Sequence, residues 1–322
     1  MENKKFQILS LEGGGMKGIF SAAILAAIES DLNIQIVDHF DLVTGTSTGG
    51  IIALGLGFGL SPEQILEFYL NEGKQIFPPN PIRSAQHWLY RKYSSKPLED
   101  VLKKYFKNKL FGESKKRLVI PSYNLTDDDI YLFRTPHAER LKRDYKVPAW
   151  KVGLATTAAP TYFSCSRHID KQRLIDGGVW ANNPTMVGVI EAYGTLGVPL
   201  SEIKVLSIGT TDPISNRRKR LNNGGIIAWG LETAAIDVIL RGQSLAAHKS
   251  ASYLLGKENV ERLNPHVTEN EFNLDGINKA DDLIAKAAHH SRHAMPTIET
   301  KFMNHRAEDY HPLHSIKSEE LC

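Results

Sequence analysis

The stretch FQILSLEGGGMKGIFSAAILAAIE, Phe6 to Glu29, constrains the fold more than any other part of the chain. A short apolar run stops at glycines, and apolar residues resume at helical spacing from Gly18 to Leu32, so the order is strand, loop, helix. Gly13, Gly15 and Gly18 fit G-x-G-x-x-G, the spacing with which a dinucleotide-binding unit brings backbone amides against a pyrophosphate. A loop that holds a transient alkoxide needs much the same backbone. Both uses require glycines without obstructing Cβ atoms and a following helix that aims free N–H groups and its dipole at negative charge. This stretch alone leaves both readings open.

The same order recurs. FDLVTG, Phe40 to Gly45, reads as a buried strand that breaks into TSTGG before an apolar helix from Gly50 onward. RLVIPSYNL (Arg117 to Leu125), DIYLFRT (Asp129 to Thr135) and IKVLSIGT (Ile203 to Thr210) read as further strands. Asn183 to Gly197 and Ile277 to His293 read as helices. Alternation of this kind predicts an α/β fold whose mostly parallel sheet is covered on both faces. The lysine-rich stretch from Ser84 to Arg117 is expected as a surface insertion, and roughly the last eighteen residues, which lose periodicity, as a loosely held tail.

Charge and cysteine content narrow the function classes. A formal charge of +3 over 322 residues, without an aromatic-interleaved basic stripe, argues against a dedicated binder of nucleic acid polymers. Two cysteines, Cys165 and Cys322, cannot make a disulfide scaffold, which points to a reducing cytosol. The apolar run after Lys4 and Lys5 stops at Glu12, too short for a signal-peptide core. The longest apolar stretch, Gly49 to Leu60, falls well below the ~20 residues of a membrane span, so any membrane contact is expected to be peripheral. His289 and His293 have the i, i+4 spacing of metal ligands, but in a surface-type helix and without H-E-x-x-H, so no metal site is assigned.

GTSTG, Gly45 to Gly49, is G-x-S-x-G between an expected strand and an expected helix, the context of a nucleophile elbow with Ser47 at its apex. Gly45 and Gly49 supply the room that the strained turn needs. None of the twelve histidines falls in a recognisable triad segment; His39 and His168 stand alone, and His289, His290, His293, His305, His311 and His314 crowd the C-terminal region. LIDGGVWANNP, Leu174 to Pro184, offers a different partner: a strand ending at Asp176, followed by Gly177 and Gly178. Ligands meet open parallel sheets at strand ends, so Ser47 and Asp176 could face each other, although a lone Asp-Gly pair is by default a turn.

Taken in order, GGGMKG (Gly13 to Gly18), GTSTG and DGG (Asp176 to Gly178) resemble the patatin-like phospholipase family. KYSSKPLEDVLKKYF, ATTAAPTYFS (Ala155 to Ser164) and VLSIGT also look like family segments, and the resemblance covers roughly Phe6 to Leu283. It implies a three-layer α/β/α patatin-like fold in one domain over 1–322, with a catalytic core at about 6–195 completed by 196–322. It further implies a Ser47–Asp176 dyad and an oxyanion hole from the amides of Gly13, Gly14 and Gly15, supported by Gly18, Gly45, Gly49, Gly177 and Gly178. Neither a cofactor nor a metal is implied. Glu12 and Lys17 stand where many relatives have aspartate and arginine, and both keep the charge sign.

The implied activity is hydrolysis of acyl esters of membrane glycerophospholipids. NRRKRLNNGGIIAWG, Asn216 to Gly230, joins Arg217, Arg218, Lys219 and Arg220 to an apolar tip bearing Trp229, a composition suited to docking on a lipid surface or to ligand contact. The form of the motifs also resembles bacterial phospholipases that a cyclic di- or trinucleotide activates in antiphage defence, which implies a cytoplasmic protein working at the inner face of the membrane. A constitutive housekeeping lipid hydrolase is the plainer alternative. Two readings from other classes stand beside it: an NAD-binding oxidoreductase, with Asp38 about twenty residues past Gly18 as the ribose-binding acid, and a non-catalytic nucleotide-binding module.

Overall fold

Strand β1 (Phe6–Leu11) alternates its apolar side chains between two helical layers, which is why it reads as a continuous apolar run. The computed structural model describes residues 5–78, 91–214, 222–223, 225, 234–269 and 271–316. The remaining strands are β2 (Leu42–Gly45), β3 (Arg117–Asn124), β4 (Asp129–Arg134), β5 (Leu174–Asp176), β6 (Ile203–Ile208), β7 (Asp212–Ile214), β8 (Val260–Leu263) and β9 (His266–Thr268). The helices are α1 (Gly18–Leu32), α2 (Thr48–Gly57), α3 (Pro62–Ile76), α4 (Lys96–Phe106), α5 (Ala149–Thr156), α6 (Gly178–Ala181), α7 (Thr185–Ile190), α8 (Ala234–Leu255) and α9 (Ala280–Phe302).

Among the described residues the central sheet has seven strands in the order β4-β3-β2-β1-β6-β8, with β5 also on β3. The pairs from β3 through β8 along this path are parallel, whereas β4 and β5 run antiparallel to β3. Leu9, Leu11, Val43, Leu118 and Ile120 face a layer built from α1 to α5 and α9. Their sequence neighbours Ile8, Leu42 and Val119 face α6, α7 and α8 on the other side. The fold is thus three-layer α/β/α with a mostly parallel sheet, as expected.

Some boundaries differ from the expectation. Helix α2 starts at Thr48, directly after Ser47, rather than at Gly50. Helix α4 is more than a surface insertion: Leu98, Val101, Leu102 and Phe106 are buried in the main core, while its lysines stay outside. The helical spacing was legible, but only the tertiary contacts with α3 and α5 tell an inserted amphipathic helix from a core one. Residues 84–90 of that stretch, and Cys322, lie outside the described residues. Past α9 the chain returns to the sheet edge, where His305 bonds Asp41 at 2.7 Å and Leu313 N–H donates to Pro136 O at 2.8 Å.

A strand has two edges, and the use of β3's edges positions the site. β4 pairs with Val119 to Asn124 along one edge. The other edge is shared: β2 pairs with Arg117 to Val119, and β5, coming from the opposite direction, pairs with Ser122 to Asn124. The C-terminal ends of β2 and β5 therefore point at each other.

Candidate active site

Ser47, just past β2, has φ 54 and ψ −121, a conformation that strongly disfavours any residue with a Cβ. The fold holds it there from several sides. Ser47 N–H donates to Thr156 Oγ1 at 3.0 Å, and that hydroxyl in turn donates to Pro121 O at 2.6 Å. Gly45 and Gly49 are packed so closely that a Cβ on Gly45 would overlap the Gly49 carbonyl, and one on Gly49 the Leu11 carbonyl. Helix α2, entirely buried, begins at the next residue and directs its N-terminal dipole toward the serine.

Asp176, the last residue of β5, accepts a hydrogen bond from Ser47 Oγ at 2.6 Å through Oδ2. Its other oxygen accepts the Gly178 N–H at 2.7 Å. The carboxyl is almost wholly buried. Burial pushes its pKa up to about 6, against the pull of the bonds from Ser47 and Gly178, so it is a far better proton acceptor than an exposed aspartate. Gly177 and Gly178 let the turn press against Pro121 and Asp176, and Gly18 lets α1 approach Thr48.

The glycine loop lies against this pair. A Cβ on Gly13 would fall 3.2 Å from Ser47 Cβ. The three expected donors are not equivalent, because Gly13 N–H already donates to Asn182 O at 3.0 Å. Gly14 and Gly15 donate to nothing among the described residues, so these amides, not that of Gly13, are available to an anion. Gly15 has φ +58 and Leu274 pressing on its Cβ position, and Met16 N–H is bonded to Leu274 O at 2.7 Å.

Polar side chains from distant elements brace the loop. Glu12 pairs with Arg262 at 2.6 Å and accepts from Ser244 Oγ and from Asn182 Nδ2. Gln243, the neighbour of Ser244 on α8, accepts Asn182 N–H at 3.0 Å and donates to Gly178 O at 3.0 Å. Helix α8 thus ties the glycine loop to the Asp176 turn. No local pattern announces this, whereas Thr156 and Asn182 fall inside the quoted segments ATTAAPTYFS and DGGVWANNP without a role having been read for them.

The dinucleotide reading loses its acid. Asp38 lies before β2, in a turn at the end of the sheet opposite the glycine loop, and its carboxylate pairs with Lys116 and Arg306. His289 and His293 face each other on α9 with ring centroids 4.6 Å apart; the described residues contain no group of three ligands that could hold a metal. No helix among them is long and apolar enough to cross a membrane. Arg217, Arg218, Lys219, Arg220 and Trp229 lie outside the described residues.

Ser47, Asp176 and the glycine loop open into one cavity of about 1080 Å³. Its lining includes Ile51, Phe68, Ile76, Phe77, Leu98 and Phe163, apolar side chains suited to an acyl chain.

Comparison with known proteins bears on what such a cavity serves. The family profile described as patatin-like phospholipase matches residues 9–189. A cGAMP-activated phospholipase of Vibrio cholerae serotype O1 is 34% identical over 270 residues, covering 76% of this chain and 76% of that protein. A protein of the same description from Pseudomonas aeruginosa is 35% identical over 209 residues, covering 64% and 62%. One from Escherichia coli is 34% identical over 225 residues, covering 65% and 63%. The chain thus spans less than two thirds of the length of the last two.

Proposed function

The chain belongs to the patatin-like phospholipase family, and on that premise we propose that it hydrolyses acyl esters of membrane glycerophospholipids with Ser47 as nucleophile and Asp176 as its base. The observation that carries this reading is the 2.6 Å bond from Ser47 Oγ to Asp176 Oδ2 in a cavity that apolar side chains also line.

In the first step Oγ attacks the ester carbonyl as its proton passes to Asp176. The carbonyl oxygen becomes an alkoxide, stabilised by the Gly14 and Gly15 amides and the N-terminal dipole of α2. Collapse of the intermediate expels the alkoxide of the lysophospholipid, which takes the proton from Asp176 and leaves an acyl-serine. Asp176 then removes a proton from water, the hydroxide displaces Ser47 Oγ from the acyl carbon, and the proton returns to the serine as fatty acid departs. No histidine takes part. A carboxyl with a pKa of about 6 is partly ready to accept and partly ready to return a proton at neutral pH.

The proposal extends to control. The similarity to three cGAMP-activated phospholipases supports activation by a cyclic di- or trinucleotide, with the cytoplasmic, inner-membrane and antiphage setting that such a signal implies. Docking on the membrane would be peripheral.

The test is hydrolysis of fluorogenic phospholipids by wild type and Ser47→Ala, with and without a panel of cyclic di- and trinucleotides. Activity that survives the substitution would overturn the nucleophile. A wild-type rate that no nucleotide changes would overturn the activation and leave a constitutive lipid hydrolase.

A further inference from the structure

Asn182, the residue that follows α6, lies in the wall of the cavity beside the dyad. Its main chain is held on both sides: its N–H donates to Gln243 Oε1 at 3.0 Å, and its carbonyl accepts Gly13 N–H at 3.0 Å. The preceding carbonyl, that of Ala181, accepts a bond from Thr46 Oγ1 at 2.6 Å. Asn182 is therefore fixed at once against α8, the glycine loop and the turn that carries Ser47.

The side-chain amide is oriented as well. Asn182 Nδ2 donates to Glu12 Oε1 at 3.2 Å and to Gly13 O at 3.5 Å. Both partners are acceptors, so the nitrogen occupies that side of the amide and the oxygen the other. Asn182 Oδ1 accepts no hydrogen bond among the described residues and keeps accessible surface. A rigidly held oxygen of this kind is an acceptor waiting for a donor that enters the cavity.

Its surroundings say which donor. The Cβ position of Gly13 is 2.6 Å from Asn182 Oδ1 and 3.2 Å from Ser47 Cβ. The Cβ position of Gly178 is 3.2 Å from the same oxygen and 3.0 Å from Asp176 Oδ1. The oxygen thus looks onto both members of the dyad across two residues that have no side chain. An acyl ester has only acceptors at its reacting end, and the oxyanion formed from it is repelled by a further oxygen. The reactant with hydrogens to give at this place is the water of the second step.

We infer that Asn182 Oδ1 orients the hydrolytic water: one hydrogen of the water goes to the Asp176 carboxylate and the other is held by Asn182 Oδ1, which turns the water's lone pair toward the acyl carbon on Ser47. The inference rests on the Ser47–Asp176 reading and deepens it. Only the first hydrogen is transferred. Asp176 takes it as the new C–O bond forms and returns it to Ser47 Oγ as the bond from Oγ to the acyl carbon breaks. The second hydrogen stays on the attacking oxygen and leaves with the fatty acid, so Asn182 is neutral throughout. The first step has no such hydrogen to hold. Oδ1 therefore serves deacylation alone, unlike the bond from Nδ2 to Glu12, which braces the glycine loop in both steps.

The experiment follows turnover of p-nitrophenyl butyrate in buffer with added methanol, with cyclic GMP–AMP present throughout if wild type needs it. Methanol has a single O–H, which Asp176 takes, so its attack on the acyl-serine makes no use of Oδ1. Asn182→Ala and Asn182→Leu, the latter close to asparagine in shape, should each raise the ratio of methyl butyrate to butyrate by about tenfold. Each should also lower kcat by up to about tenfold while changing kcat/KM by less than about threefold, so that KM falls with kcat. Asn182→Asp keeps an oxygen at the Oδ1 position and should stay near the wild-type ratio. Ser244→Ala removes a different bond to Glu12 and should leave the ratio unmoved whatever it does to the rate. A ratio that neither Asn182→Ala nor Asn182→Leu shifts would overturn the role, as would a loss confined to kcat/KM, which is the mark of a brace. Intact mass spectrometry of acid-quenched protein separates this from failure of the dyad. Wild type that forms the acyl-serine while the ratio ignores Asn182 keeps Ser47 and Asp176 and loses the water site; wild type that never forms it loses both.

Discussion

Asp176 Oδ2 meets Ser47 Oγ at 2.6 Å because β5 and β2 occupy the same edge of β3 and run toward each other. The contact is therefore built into the register of the sheet and does not depend on a mobile loop. The proposed dyad should act as one unit. Ser47→Ala and Asp176→Asn are each expected to lower kcat/KM on a phospholipid by on the order of 10³ or more, and the double variant to be no slower than the worse single one. Steady-state rates of the three proteins check this; losses that multiply would mean that the two residues act separately.

The raised pKa of Asp176 sets opposite pH trends for activity and stability. Hydrolysis needs the carboxylate, so kcat/KM should fall as pH drops through about 6. The folded carboxyl binds its proton more tightly than an unfolded aspartate near 3.9, so its stabilising contribution is complete below about pH 4 and is lost as pH rises through about 6. Relative to Asp176→Asn, wild type should lose stability progressively from pH 4 to 7. Denaturant titrations of both proteins across that range give the difference directly, and parallel curves would show an unperturbed carboxyl.

Strain at the elbow can be separated from chemistry. Ser47 carries a Cβ at φ 54, and alanine would carry one too, whereas glycine would not. Ser47→Gly should be as inactive as Ser47→Ala yet unfold at the same or a higher denaturant concentration, because relieved strain of about 1–3 kcal/mol offsets the added chain entropy. A clearly less stable glycine variant would mean that the turn stores little strain.

Gly15→Ala would introduce a Cβ against the Leu274 carbonyl at positive φ and shift the loop. A rate loss of about 10²–10³ is expected from misplaced oxyanion donors. Gly194→Ala, where a Cβ meets nothing, serves as the control and should leave rate and stability near wild type.

The C-terminal segment offers a test of stability alone. His305 bonds Asp41, whose carboxylate also accepts Gln7 N–H at 2.8 Å, and Ala307 N–H donates to Asp38 O at 2.8 Å. Removing the chain after Met303 leaves Asp41 with one bond fewer and should destabilise the protein by about 1–3 kcal/mol, read from its unfolding midpoint. An unchanged midpoint would show that these bonds merely replace equivalent ones to water.

Much of this was legible in local pattern. Glycines at 13, 15 and 18, the elbow at Gly45 to Gly49 and the D-G-G turn each state a backbone requirement within a few residues, and β1, β2, β3 and β6 carry the apolar runs of strands buried on both faces. Helix α8 was not legible. Ile236, Ile239, Tyr253 and Leu254 are exposed while Ser244 is buried, so its apolar spacing does not mark the face that packs.

The chain's own order determined that a strained serine, a glycine loop and a turn-borne aspartate exist and that a parallel sheet would carry them, because these are short-range requirements of φ, Cβ volume and periodicity. Only the tertiary structure decided that β5 approaches β2 head-on, that Asn182 takes the Gly13 amide, and that Arg262 pairs with Glu12. Those outcomes depend on which strands become neighbours and in what register, and residues far apart in sequence carry no local sign of the partners they will meet.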